Sequence, residues 1–469
     1  MFKKNYFWKV VLFLSVVCLP SGSFAAVSHA EEDILTFSRE TDFPVNQEYL
    51  PKASIVIDAD TGQILWSDQP DLQWNPASIA KVMTLYLAFE AIEQGKFTLD
   101  TTITANEKYQ NISQIYALSN NNITAGVDYP IHELFSMMVV PSSNVATLMV
   151  ANLISDNDEA AFIQKMNAKA TELGMTNTTY YNCSGAQVSA FDGYYAPDGI
   201  DPNGDNKSTA RDLAILTYHL IKNYPEVLTF TSEPVVTTMK GTPYAETFET
   251  YNYSLLGAKY GYDGVDGLKT GSSPSGGFNY IATAKKNKQR LIEVVLGVGD
   301  WSDQEGEYER HVVGNAILDH VFTSYEYKKL LPKGKNTVND ETIELEKDFY
   351  GLIKKDSTPE FKLNDGQLTL ANEYGQVSEK IAAPSVSYQN AKTLPITNTT
   401  KKNTQSKTQA SKNHSYYLLS LLLTILGVIV LILSRILKRP VIEVRRRSVS
   451  KRRNTPLTRS LAVLGFLFS

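Results

Sequence analysis

Residues 53–67 read ASIVIDADTGQILWS. Two apolar runs flank Ala59-Asp60-Thr61-Gly62, a short linker of turn-forming residues, and that combination is a hairpin signature. Two further strand-forming runs lie far downstream, FNYIATAKK (278–286) and QRLIEVVLGVG (289–299). Between the two pairs, from Ile79 to about Leu228, the pattern is mostly helical. A sheet drawn from both ends of one domain, with helices inserted between, is an α+β arrangement of packed layers, and it places a first domain at residues 31–307. Beyond it, alternating stretches such as TIELEKDFYGLIKK (342–355) and FKLNDGQLTLANEYG (361–375) read as a small β-rich domain over 308–383.

The ends of the chain carry their own signals. Residues 1–25 have the three parts of a secretory signal peptide: Lys3, Lys4 and Lys9, then VVLFLSVVCL, then SGSFAA. A second cleavage point follows Ala30. Residues 384–415 are rich in Ser, Thr, Asn, Gln and Lys and read as a flexible spacer. YYLLSLLLTILGVIVLILS (416–434) is uncharged and long enough to cross a bilayer as a transmembrane helix. The basic run that follows, with RRR at 445–447 and KRR at 451–453, predicts a cytoplasmic tail over 435–469, which puts everything before the span outside the cell. Membrane electrostatics suffice to explain that tail, and a net charge of -5 gives no reason to expect a nucleic-acid partner. Of the two cysteines, Cys18 leaves with the signal and Cys183 remains as a single thiol with a structural role.

Chemistry is suggested by three short motifs. In WNPASIAKVMT (74–84), Ser78 and Lys81 lie three residues apart at the start of an apolar helix and share a face. Pro76 suits a helix start, which makes Ser78 a first-turn residue near unpaired N–H groups. A lysine facing a core is costly unless it is paired or used; desolvated and near a second cation, it becomes a base. In MMVVPSSNVATLMVA (137–151), Ser142-Ser143-Asn144 interrupts an apolar pattern. It reads either as a helix N-cap behind Pro141 or as a site where Ser142 shares a proton with Lys81 and Asn144 bonds lysine and substrate amide. In GVDGLKTGSSPSGGFNYIATA (264–284), Lys269, Thr270 and Gly271 fall in a strand rich in small residues. That reads either as a turn or as a strand beside a bound peptide. In the second case Gly271 admits close approach while Lys269 and Thr270 meet a substrate carboxylate.

SxxK, SxN and KTG in this order resemble the penicilloyl-serine transferases, the penicillin-binding proteins and serine β-lactamases. With PASIAKVMT, FIQKMNAKATELGMTNTTYYNCSG and DGLKTGSSPSGGFNYIATAKK, the chain resembles most the low-molecular-mass D-alanyl-D-alanine carboxypeptidases of the S11 type. The resemblance implies a β-lactamase/transpeptidase-like fold: an antiparallel sheet flanked by helices, a mostly helical subdomain and a β-rich C-terminal domain. It implies a Ser78 nucleophile, Lys81 as general base, Ser142 as proton relay, Asn144 positioning substrate and lysine, and Lys269 with Thr270 holding the terminal carboxylate. The Ser78 and Ser272 N–H groups would form the oxyanion hole. The implied substrate is the D-Ala-D-Ala end of peptidoglycan stem peptides, β-lactams are covalent inhibitors, and no cofactor or metal is expected. Val145-Ala146 after Asn144, and Ser275-Gly276-Gly277-Phe278 after the KTG match, depart from the usual pattern. A β-lactamase would share the three motifs, but no Glu-x-x-x-Asn loop is evident for its deacylating water. Transpeptidase and endopeptidase activities differ only in acceptor access. A non-catalytic surface-binding module would not need all of Ser78, Lys81, Ser142, Asn144 and Lys269. The anchored architecture fits a Gram-positive cell surface.

Overall fold

The computed structural model describes residues 33–390. The signal peptide, the span at 416–434, the tail and the spacer beyond 390 lie outside these residues. Among the described residues no helix is long and apolar enough to cross a membrane.

Strands β1 (Ala53–Asp58), β2 (Ile64–Asp68), β3 (Val265–Ser273), β4 (Gly277–Lys286) and β5 (Gln289–Val298) form one sheet in the order β2-β1-β5-β4-β3. Every pairing is antiparallel. The expected hairpin is β1–β2, and the two ends of the domain meet where β1 pairs with β5. Alternate residues serve two cores. Ile55, Ile57, Ile292, Val294 and Leu296 face one side, and Val56, Leu291 and Val295 the other. Burial of both faces explains why β4 and β5 read as nearly unbroken apolar runs.

The first face is covered by the helical section: α1 (Lys81–Glu93), α2 (Ile131–Val139), α3 (Asn144–Ile154), α4 (Glu159–Leu173) and α5 (Ala210–Asn223). Helix α1 is buried from Lys81 to Phe89 without a break, so it is a central helix rather than an amphipathic surface one. The second face is covered by α6 (Gly306–Ser324), packed on β4 and β5. The domain boundary expected between 307 and 308 falls inside α6. Val313, Ile317 and Val321 on that helix belong to the sheet's core, so the first body runs to Ser324.

The β-rich domain follows at once. Strand β6 (Tyr325–Leu331) pairs with β9 (Phe349–Lys354). Strands β7 (Gly334–Val338), β8 (Glu341–Leu345), β10 (Phe361–Asn364), β11 (Gln367–Leu370) and β12 (Ser385–Asn390) make a sheet in the order β7-β8-β12-β11-β10. Strand β12 corrects the expected spacer start at 384. Its sequence SVSYQN is polar and buries only Val386, but its backbone bridges β8 and β11. This domain docks on the β1–β2 hairpin, the sheet edge opposite β3. Val377 N–H donates to Gly62 O (2.9 Å), Ile64 N–H to Gly375 O (3.1 Å), and Gln63 Nε2 to Leu352 O (3.2 Å).

Candidate active site

Ser78 sits in a 3₁₀ turn, Ala77–Ala80, and the α-helix begins only at Lys81. The turn is set by Asn75, whose Oδ1 accepts the Ala77 N–H at 2.8 Å, and Ala77 takes a left-handed φ of 49°. A second non-glycine residue in that region, Ser142 (φ 59°), lies across the cleft. Such conformations cost about 1–3 kcal/mol each and persist only where the surroundings enforce them.

Lys81 is fully buried at the N-terminus of α1. Its Nζ lies 3.0 Å from Ser78 Oγ, 2.9 Å from Asn144 Oδ1 and 2.6 Å from the Ser184 carbonyl oxygen. Burial pushes its pKa down to about 7. The two carbonyl oxygens can only accept. A neutral amine spends its two N–H bonds on them, and its lone pair then points to the Ser78 hydroxyl.

The two serines of the second motif divide the two readings between them. Ser143 caps α3, accepting the Ala146 N–H at 3.1 Å, while Ser142 Oγ accepts from Lys269 Nζ at 2.9 Å. Lys81 and Ser142 thus bond to different partners, where a shared proton was expected. Asn144 Nδ2 donates to Ser119 O at 3.0 Å. Lys269 also donates to Thr270 O (3.0 Å); burial first, then Lys81 and Arg310, drive its pKa well below the usual lysine range. Among the described residues neither lysine is bonded to a carboxylate.

Gly271, expected to face a bound peptide, also makes room for the turn that carries Ser78: a Cβ there would sit 2.4 Å from Pro76 O and 3.1 Å from Ser78 N. Gly185 does the same from the other side, its would-be Cβ 2.0 Å from Ala77 O at a φ of 94°. Asn182 Oδ1 shapes that loop by accepting the N–H groups of Ser184 (3.2 Å) and Gly185 (2.6 Å).

Absent from the sequence expectations is Arg310 on α6. Its Nη1 donates to Ser272 Oγ at 2.8 Å and its Nε to His311 Nε2 at 3.2 Å. Burial lowers the guanidinium only to about 10, so it stays charged at neutral pH. With Ser78, Ser142, Thr270, Ser272, Tyr251 and Glu307 it lines a cleft of about 160 Å³. Cys183 is buried behind Lys81, and burial pushes its thiol up to about 12. Among the described residues no group of three or more His, Cys, Asp or Glu side chains could hold a metal ion.

The chain is 27% identical over 347 residues to the D-alanyl-D-alanine carboxypeptidase DacF of Bacillus subtilis, an alignment covering 74% of this chain and 81% of that one. Among solved structures it is similar to the peptidoglycan synthesis regulatory factor PBP3 of Streptococcus pneumoniae (TM-score 0.63, 26% identity, 72% of this chain and 98% of that chain). It is also similar to penicillin-binding protein 5 of Haemophilus influenzae (TM-score 0.56, 25% identity, 74% and 98%). Residues 327–389 match a domain of unknown function, DUF1958. Residues 41–300, more than half of the chain, match the model of the S11 peptidases, and the chain therefore belongs to that D-alanyl-D-alanine carboxypeptidase family.

Proposed function

We infer that the protein is a serine D-Ala-D-Ala carboxypeptidase that removes the terminal D-Ala from peptidoglycan stem pentapeptides through a Ser78 acyl-enzyme. The observation that carries this is the Lys81 amine, buried, lowered to about 7 and 3.0 Å from Ser78 Oγ. Ser78 gives its proton to Lys81 as Oγ bonds the penultimate carbonyl carbon. The carbonyl's electron pair moves onto oxygen, towards the backbone N–H groups of Ser78 and Ser272. Collapse breaks the C–N bond, and the proton taken up by Lys81 passes by way of Ser142 to the departing D-Ala nitrogen, which leaves Lys81 neutral again. Water then cleaves the ester and frees Ser78. Arg310, a permanent cation bonded to Ser272, suits the terminal carboxylate better than the deeply buried Lys269, with Thr270 as its hydroxyl neighbour. A penicillin presents the same carboxylate and a strained amide, so it acylates Ser78 and leaves slowly. The sequence beyond residue 390 supports attachment of an extracellular catalytic domain to the membrane by the 416–434 span.

Two measurements test this. Labelled penicillin should form a covalent adduct with the protein but not with Ser78→Ala, and a soluble pentapeptide should release D-Ala. An undiminished adduct in the variant overturns the nucleophile. Consumption of cross-linked dimers alone makes the enzyme an endopeptidase.

A further inference from the structure

Arg310 lines the cleft yet is buried, and among the described residues no carboxylate is bonded to it. A buried arginine ordinarily has an anionic partner. Glu307, on the same wall, acts on the Arg310 charge without bonding to it. What holds the guanidinium is instead an imidazole. His311 follows Arg310 on α6 and is fully buried; Arg310 Nε donates to its Nε2 at 3.2 Å, and its Nδ1 lies 3.2 Å from Ser254 Oγ. The ring sits edge-on to Tyr280 (centroids 4.5 Å apart) and Tyr253 (5.4 Å). Burial first, and then the Arg310 charge, keep it neutral.

A neutral imidazole has one proton to place, and here it has two places for it. His311 Nε2 also lies 3.0 Å from the Tyr251 carbonyl oxygen. With the proton on Nε2, the ring would donate to Tyr251, and Arg310 Nε–H would face another N–H. With the proton on Nδ1, the ring donates to Ser254 and Nε2 accepts from the arginine. An N–H of a permanent cation is the costlier group to leave unmet in the interior, so the proton belongs on Nδ1. The next groups continue in the same sense. Ser254 is in hydrogen-bonding contact with Tyr280, and the Tyr280 hydroxyl donates to Asn252 Oδ1 at 2.9 Å. Donor follows acceptor from Arg310 through His311, Ser254 and Tyr280 to Asn252, and each bond polarises the next.

We propose that His311 is a positioning residue for substrate binding: through Nε2 it fixes the plane of the Arg310 guanidinium, and the remaining N–H groups serve Ser272 and the terminal carboxylate of the substrate. The choice of side chain follows from the charge. An aspartate or glutamate at this place would hold the guanidinium as firmly but would neutralise it, whereas a neutral imidazole orients the cation and leaves its charge for the incoming carboxylate. This rests on the reading of Arg310 as the partner of that carboxylate.

The test compares benzylpenicillin with its methyl ester, which keeps the strained amide and loses the carboxylate charge. Each is mixed with detergent-solubilised full-length protein, and the second-order rate of adduct formation is read by mass spectrometry. The wild type should react with the acid at least about tenfold faster than with the ester. His311→Leu should lower that ratio about threefold or more, and His311→Gln, whose amide oxygen can accept in place of Nε2, should restore most of it. Arg310→Met should lower the ratio too, and adding His311→Leu to it should lower it no further, because the two side chains act as one unit. A merely structural effect of His311 would slow acid and ester alike and leave the ratio unchanged. Ser254→Ala, which alters neither member of the pair, removes the acceptor of Nδ1–H and releases the proton to Nε2 and Tyr251, so its ratio should also fall. The proposal is overturned if the ratio keeps its wild-type value in folded His311→Leu or in Ser254→Ala, or if the losses in the double variant multiply. A ratio lost in Arg310→Met alone overturns it and spares the Arg310 reading; a wild-type ratio near one overturns both. No adduct from the wild type with either compound overturns the Ser78 nucleophile as well.

Discussion

Replacing Lys81 by Met should leave stability at neutral pH nearly unchanged and yet alter how stability depends on pH. The unfolded lysine titrates near 10.5, and the folded one near 7. Between those values the unfolded chain holds a proton that the folded chain lacks, so wild-type stability rises with pH by about 1.4 kcal/mol per unit and levels off above 10.5. Below 7 both states are protonated and the full penalty, about 5 kcal/mol, is constant. The Met variant escapes that penalty but strands Asn144 Oδ1 and Ser184 O, at about 1–3 kcal/mol each, so the two effects nearly cancel at pH 7. The difference between the proteins must then move in favour of wild type by about 2.3 kcal/mol from pH 7 to pH 9, the folded lysine being half deprotonated at the start. Urea unfolding of both proteins, followed by circular dichroism across that window, measures it. A difference that stays flat from pH 7 to 9 would show that the buried amine titrates like a solvated lysine, and the case for a neutral base at Ser78 would fall with it.

Acylation by penicillin should report the same group kinetically. The second-order rate needs the neutral amine, so it should be half-maximal near pH 7 and about tenfold lower at pH 6 than at pH 8; a profile unchanged down to pH 5 contradicts a Lys81 base. Gly271→Ala puts a methyl 2.4 Å from a backbone oxygen of the nucleophile's turn, and overpacking of that kind costs about 1–3 kcal/mol. Its adduct formation should slow by far more than its thermal melt falls, and normal acylation would mean that β3 has room to spare. Ser142→Ala and Ser143→Ala should separate cleanly. The first slows acylation with little change in melting, while the second loses an N-cap worth about 1 kcal/mol and keeps most of its rate. The opposite pattern exchanges their assignments.

The elements legible in the sequence are those carried by local spacing. The β1–β2 hairpin, β4, β5, and the pairing of Ser78 with Lys81 needed only the neighbouring residues. Strand β12 was not legible, because SVSYQN is held by backbone pairing on two sides, and a backbone hydrogen bond leaves no trace in side-chain type. For the same reason nothing in the sequence marked the Ser184 carbonyl that fixes Lys81, nor showed that Gly185 and Gly271 are small because each presses on the turn of Ser78. Arg310 was missed because it acts across 38 residues, from a helix that otherwise buries mostly apolar residues, with His311 and Asn315 among them. The motif residues alone therefore do not define the chemistry. Asn144, itself a motif residue, takes one N–H bond of Lys81, but the second goes to the Ser184 carbonyl, a partner that only the fold supplies.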